Sequence, residues 1–190
     1  MKKTIIFILI VFIFTFIPNA FSFNLSISNP KIKLKVEPGQ VITGSLTINN
    51  PSSSEIAIKA YLEDFIYVSP YDGSKKFFPA GSTERSCAGW ISFSPSEFKL
   101  NPFGRRNIDY TVRVPKSASG GYYAVLFFET SLGQIEQTPG NRLLVLGRIG
   151  SLFLVETNNS VKKAEIRDLK TGINSINASF NNTGNVLLKA

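Results

Sequence analysis

Histidine is absent from this chain of 190 residues, and cysteine, methionine and tryptophan occur once each. Without histidine the commonest general base and the commonest metal ligand are missing. A single cysteine, Cys87, excludes an intrachain disulfide and a structural zinc site of the usual kind. It reads as a small core residue beside Gly89 and Trp90, with pairing to another chain as the sharper alternative. Acidic residues are few and scattered, and the pair Glu63-Asp64 reads as a solvated strand end. No glycine-rich loop opens a helix to cradle a phosphate, and there are no heptads, low-complexity tract or strong internal repeat. The expectation is a protein that is not an enzyme and holds no cofactor and no metal.

Charge is unbalanced but not concentrated. Lysine and arginine number 21 against 13 acidic residues, a net charge of +8. A basic balance can signal nucleic acid, yet there is no run of five like charges, so the charges read as solvated strand faces and no nucleic-acid partner is expected.

What is present begins with an address. Lys2-Lys3 precede an apolar run from Ile5 to Ile17 broken only by Thr15; Pro18-Asn19 end it, and Ala20-Phe21-Ser22 offers a small-x-small cleavage site. This is the layout of a secretory signal peptide, and the run is short for a membrane span of roughly 20 residues. Residues 1–22 are therefore expected to be removed, with an uncleaved N-terminal anchor as the alternative; removal leaves a chain that begins at Phe23, is exported to a periplasmic or extracellular location, and is not held in the membrane. Cleavage would remove Lys2 and Lys3, lowering the basic count from 21 to 19 against 13, a net +6.

The centre of the remaining chain is Ser94 to Glu129. Ile108, Tyr110, Val112 and Val114 alternate with Asn107, Asp109, Thr111 and Arg113, the period-two signature of a strand with one dry and one wet face. Pro115 ends it, Gly120-Gly121 turn the chain, and Tyr122 to Phe128 is apolar on both faces, as in the middle of a covered sheet. Earlier, Ile32, Leu34 and Val36 alternate with Lys31, Lys33 and Lys35, which read as guards of an edge strand or as an anion-binding stripe. Val41–Asn49 and Glu55–Val68 follow as strands. Ser69 to Ser86 reads as an irregular excursion with a turn at Asp72-Gly73; its Phe77-Phe78 either tuck into the core or form a contact site for a partner. Trp90 reads as a core anchor, or alternatively as a platform for a sugar. Thr130 to Asn141 reads as a polar loop, and Leu143 to Val155 as one or two very apolar strands in which Gly147 and Gly150 mark a bulge or a close crossing. After Glu156 two short strands, Val161–Lys170 and Ser175–Phe180, are too little to close a sandwich of their own.

The runs VEPGQVITGSLTINNPSSSEIAIKAYLEDF (36–65), SPSEFKLNPFGRRNIDYTVRVP (94–115) and GGYYAVLFF (120–128) resemble the amino-terminal immunoglobulin-like domain of PapD-like periplasmic chaperones, and related exported bacterial domains, over roughly residues 30–155. The NNTGN turn at 181–185 is similar to the opening hairpin of a second such domain. The resemblance implies a chaperone that lends an apolar strand, here Leu143 to Val155 with Leu144 and Leu146, to a secreted subunit lacking one. It also implies an Arg and a Lys that anchor the client's carboxylate between domains, but no segment around Lys31–Lys35 or Arg148 matches those motifs.

The expected architecture is all-β: an immunoglobulin-like, PapD-like β-sandwich of seven or so strands over residues 23–156, then an incomplete second β domain or β tail over 157–190. The leading functional reading is an exported, non-enzymatic binding or scaffolding module whose partners are proteins of the cell envelope. The alternative is the PapD-like assembly chaperone; the third is a carbohydrate- or cell-wall-binding module. The candidate partner-binding residues are Phe77, Phe78, Trp90, Leu144 and Leu146.

Overall fold

The computed structural model describes residues 25–69, 71–138 and 141–188; the expected signal segment and the start at Phe23 lie outside them. Two sheets face each other. One is ordered β1 (Ser26–Ile27), β3 (Val41–Asn49), β8 (Arg105–Arg113), β6 (Ile91–Ser94); the other is ordered β2 (Lys31–Val36), β10 (Asn141–Thr157), β9 (Gly121–Thr138), β4 (Ile56–Tyr67), β5 (Lys75–Pro79), with β7 (Glu97–Leu100) also on β4. The N-terminal strand is thus split. β1 lies antiparallel to β3, the chain crosses at Asn29-Pro30, and β2 joins the other sheet parallel to β10. This split, and short strands at 75–79 and 97–100, raise the strand count above the expected seven.

Alternation decides which side chains are dry. On β8, Ile108, Tyr110 and Val112 are buried while Asn107, Asp109 and Arg113 are exposed. They meet Leu46 and Ile48 of β3 and, across the gap, Leu126, Phe128, Phe153 and Val155 of the other sheet. Tyr110 stands edge-on to Phe153, with ring centres 5.1 Å apart. Each such side chain contributes about 1.5–3 kcal/mol by leaving water, so the sandwich needs no disulfide. β9 is buried on both faces from Ala124 to Phe128: Ala124, Leu126 and Phe128 face the sandwich core, and Val125 and Phe127 face a second cluster with Phe65, Phe77 and Leu152.

Two expectations are corrected, and a third is decided between its alternatives. Thr130–Asn141 is not a loop: β9 runs to Thr138 and β10 starts at Asn141, paired across a long hairpin. Phe77 and Phe78 lie in a strand, β5, with Phe77 opposite Phe65 and Phe78 opposite Asp64. Of the two readings of Gly147 and Gly150, the bulge does not hold, because the register shifts fall at Asn141/Arg142 and Val145/Leu146, where the additional residue belongs to β9. Gly150 instead permits a close approach, since a Cβ there would lie 2.7 Å from Val125 and 2.9 Å from Phe127.

Beyond Thr157 the chain forms a separate hairpin, β11 (Ala164–Thr171) with β12 (Ile176–Asn182). Its base is tied to the sandwich. The Gly121 N–H donates to Asn185 O at 2.8 Å, the Leu187 N–H donates to Tyr123 Oη at 2.7 Å, and Val186 is buried.

Candidate functional site

β10 has one edge on β9 and the other only partly covered. β2 pairs with it from Leu152 to Thr157, and the ladder begins where the Leu152 N–H donates to Pro30 O at 3.0 Å. Among the described residues no strand pairs with that edge between Asn141 and Ser151. Backbone groups alternate along a strand, and β10 carries no additional residue at either register shift. The N–H and C=O groups of Leu144, Leu146, Arg148 and Gly150 therefore point, like those of Leu152, to the open edge. An unpaired strand edge is a template for another strand.

The side chains there are apolar and wet. Leu143, Leu144 and Leu146 are 49%, 51% and 51% exposed. β4 last pairs with β9 at Lys59–Glu129, which stands level with Arg148. From that row outward the hairpin projects without a neighbour among the described strands, and Gly133, at φ 113°, supplies the left-handed conformation at one of its bulges.

The root of the hairpin is pinned by Arg148. Its guanidinium lies 4.1 Å from the ring centre of Phe127 and 5.3 Å from that of Phe77, and Nη1 donates to Glu63 Oε1 at 3.0 Å and to Tyr61 Oη at 3.2 Å. The Tyr61 hydroxyl in turn donates to Glu129 Oε2 at 2.8 Å. Burial pushes the Tyr61 phenol up, and the adjacent Glu129 carboxylate adds to this against the pull of Arg148. Burial works against the Arg148 charge, but Tyr61 and Glu63 outweigh it and raise its pKa. This cation is already engaged and is not a free anchor for a carboxylate.

Leu144 and Leu146 thus stand on the open hairpin, and Phe77 reaches its root, meeting Phe127 edge-on at 5.0 Å. Phe78 is half-buried on the other face of β5, 5.4 Å from Lys76 Nζ. Trp90 is not brought to this site. It sits half-buried in a 3₁₀ turn, Ala88–Trp90, packed against Tyr122 at 4.3 Å between ring centres. The sequence reading missed Arg148 as the pin; its signal is that it is the only charged residue between Leu143 and Val155.

Asp64, expected at a solvated strand end, is fully buried. It accepts from the Thr83 N–H at 2.8 Å, Thr83 Oγ1 at 3.0 Å and Ser86 Oγ at 2.6 Å, and so fastens the 80–86 loop. Cys87 beside it is also fully buried; burial, reinforced by Asp64, pushes its thiol far up. Lys31, Lys33 and Lys35 are exposed on β2, the edge strand of its sheet. Among the described residues no group of three acidic or thiol side chains stands together to hold a metal, and no helix is long and apolar enough to cross a membrane.

No protein-family model matches this chain, and no curated protein matches it. Solved structures do resemble it. The class 5 fimbriae chaperone CfaA aligns over 86% of this chain and 68% of its own, at 18% identity and a TM-score of 0.54. A chain of a chaperone–tip adhesin complex described in CFA/I fimbriae biogenesis aligns over the same shares at 15% identity and a TM-score of 0.55. At such identities the likeness is one of fold: this chain has the PapD-like, immunoglobulin-type β-sandwich.

Proposed function

We propose that this protein is an assembly chaperone of the PapD-like type, which holds a secreted protein subunit by pairing the open edge of β10 with an extended segment of that subunit. The observation that carries this reading is the edge between Asn141 and Ser151, which no described strand pairs, with exposed Leu144 and Leu146 beside it. Strand addition satisfies the backbone groups of such an edge, and the alternate side chains supply specificity. Two of its structural neighbours are a fimbrial chaperone and a chain of a chaperone–tip adhesin complex, which favours the same reading over a general envelope scaffold. A sugar platform has less support, because Trp90 packs tilted against Tyr122 and is half-buried.

On this reading residues 1–22 are a cleaved signal peptide and the protein works in the periplasm. The β11–β12 hairpin is the opening of a second β domain: Ile166, Ile176 and Phe180 share one exposed face and would be covered there.

The test is affinity capture from cell-envelope extract with the chain beginning at Phe23. The expected result is one small secreted β protein in stoichiometric amount, lost when Leu144 and Leu146 are both changed to Lys. Retention of that protein by the double variant, or recovery of wall polysaccharide alone, would refute the reading.

A further inference from the structure

Inside the sandwich body both faces of β10 are covered. Phe153 and Val155 face the opposite sheet, while Leu152 packs in the outer aromatic cluster. Past Arg148 cover persists only as far as the Gly147–Thr130 row, where Thr130 is still buried; beyond it no described strand flanks the hairpin, yet the apolar pattern continues on both faces. Leu143 and Val145 extend the inner file of Ile149, Phe153 and Val155; Leu144 and Leu146 extend the outer file of Leu152 and Leu154. A strand that offers only one face to a partner carries polar residues on the other, as β8 does with Asn107 and Asp109. Strands that are apolar on both faces are buried on both.

A second observation concerns the outer face alone. At the hairpin root a hollow of about 390 Å³ opens on the outer face of the sheet, lined by Ala57, Lys59, Glu97, Lys99, Ser131 and Leu146 among others. Leu146 is both a wall of the hollow and a member of the outer leucine file, so the two surfaces are continuous. The rim carries charges of both signs, and Lys99 is already paired with Glu55 at 2.8 Å. The hollow therefore suits an apolar side chain rather than an ion.

We propose that a single protein partner clamps the projecting hairpin from both faces: an extended segment follows the β10 edge, and an apolar side chain of the same partner fills the hollow between Ala57, Ser131 and Leu146. The clamp rests on the strand-addition reading and adds to it the outer face, which strand pairing alone leaves bare. Continuity of the hollow with the open edge argues for one partner rather than two.

The experiment places a benzophenone cross-linking amino acid in the full chain, expressed in its own cells, at Leu143 for the inner face, at Ser131 for the hollow, and at Thr43 on the far sheet as a control. The expected result is one and the same protein, identified by mass spectrometry, joined from Leu143 and from Ser131 but not from Thr43. Ser131→Trp, which fills the hollow, is expected to weaken binding of that purified protein about tenfold, the cost of one well-packed contact. An adduct from Leu143 with none from Ser131, or different proteins from the two positions, would overturn the clamp while leaving strand addition in place. Adducts to a second copy of this chain would replace the partner by a dimer. No adduct from either hairpin position would remove the strand-addition reading itself.

Discussion

The guanidinium of Arg148 lies 4.1 Å from the ring centre of Phe127 while it donates to Glu63 at 3.0 Å. A strand of the projecting hairpin is thereby fastened to the aromatic cluster at the point where the body of the sandwich ends. Arg148→Ala is expected to cost about 1 kcal/mol, the worth of a partly desolvated cation–π contact, read from urea unfolding. Arg148→Lys should recover less than half of it, because an ammonium cannot lie flat on Phe127 and bond Glu63 and Tyr61 together. Full recovery by Lys would mean that charge alone holds the root.

Asp64→Ala removes the acceptor for three donors, two from Thr83 and one from Ser86. Leaving such groups unpaired is expected to destabilise by about 3 kcal/mol. Cys87 provides the readout. Burial keeps its thiol protonated, so a thiol reagent at mildly alkaline pH should label the native protein only as it unfolds, and the Asp64→Ala variant at lower urea.

Gly150→Ala places a methyl group against Val125 and Phe127. Overpacking of this kind is expected to cost about 2 kcal/mol. Gly133→Ala would be tolerated sterically, since nothing lies within 4 Å, but its φ of 113° is strained for a side chain. Comparing the two unfolding curves separates contact from backbone strain.

Glu156 accepts from Lys162 Nζ at 2.8 Å and from Ser160 Oγ at 2.9 Å, and the bond from Lys162 holds its carboxyl below the usual glutamate range against the opposing effect of burial. A carboxylate lowered by folding stabilises above its unfolded value, and that contribution is lost as pH falls through the folded one. The urea midpoint of the native protein should therefore drop in acid. Glu156→Gln should lower the midpoint at neutral pH and narrow the difference in acid; a constant difference would show that the Lys162 pairing is not the cause.

Much of the sandwich was legible because burial and alternation coincide. Ile108, Tyr110 and Val112 mark β8, and the apolar run from Tyr122 to Phe128 marks a strand covered on both faces. What escaped has a physical reason in each case. The outer part of β9 reads as a loop because a projecting ladder is held by backbone bonds and asks for no apolar face at Ser131 or Gln134. Asp64 reads as solvated because its partners, Thr83 and Ser86, are brought to it only by a loop some twenty residues on. Leu144 and Leu146 stood out in the sequence, but the open edge beside them depends on where β2 starts, and that is set by the crossing at Asn29-Pro30.

The most direct measurement is residue-resolved amide hydrogen exchange of the chain, alone and with its captured partner. Alone, the amides of Leu144, Leu146, Arg148 and Gly150 should exchange fast while those of Leu143, Val145 and Ile149, directed at β9, exchange slowly. With the partner, the first set should slow by about a hundredfold or more as the edge is paired. Edge amides that stay fast in the complex, with new protection on β2 or on the β11–β12 hairpin instead, would contradict strand addition at β10.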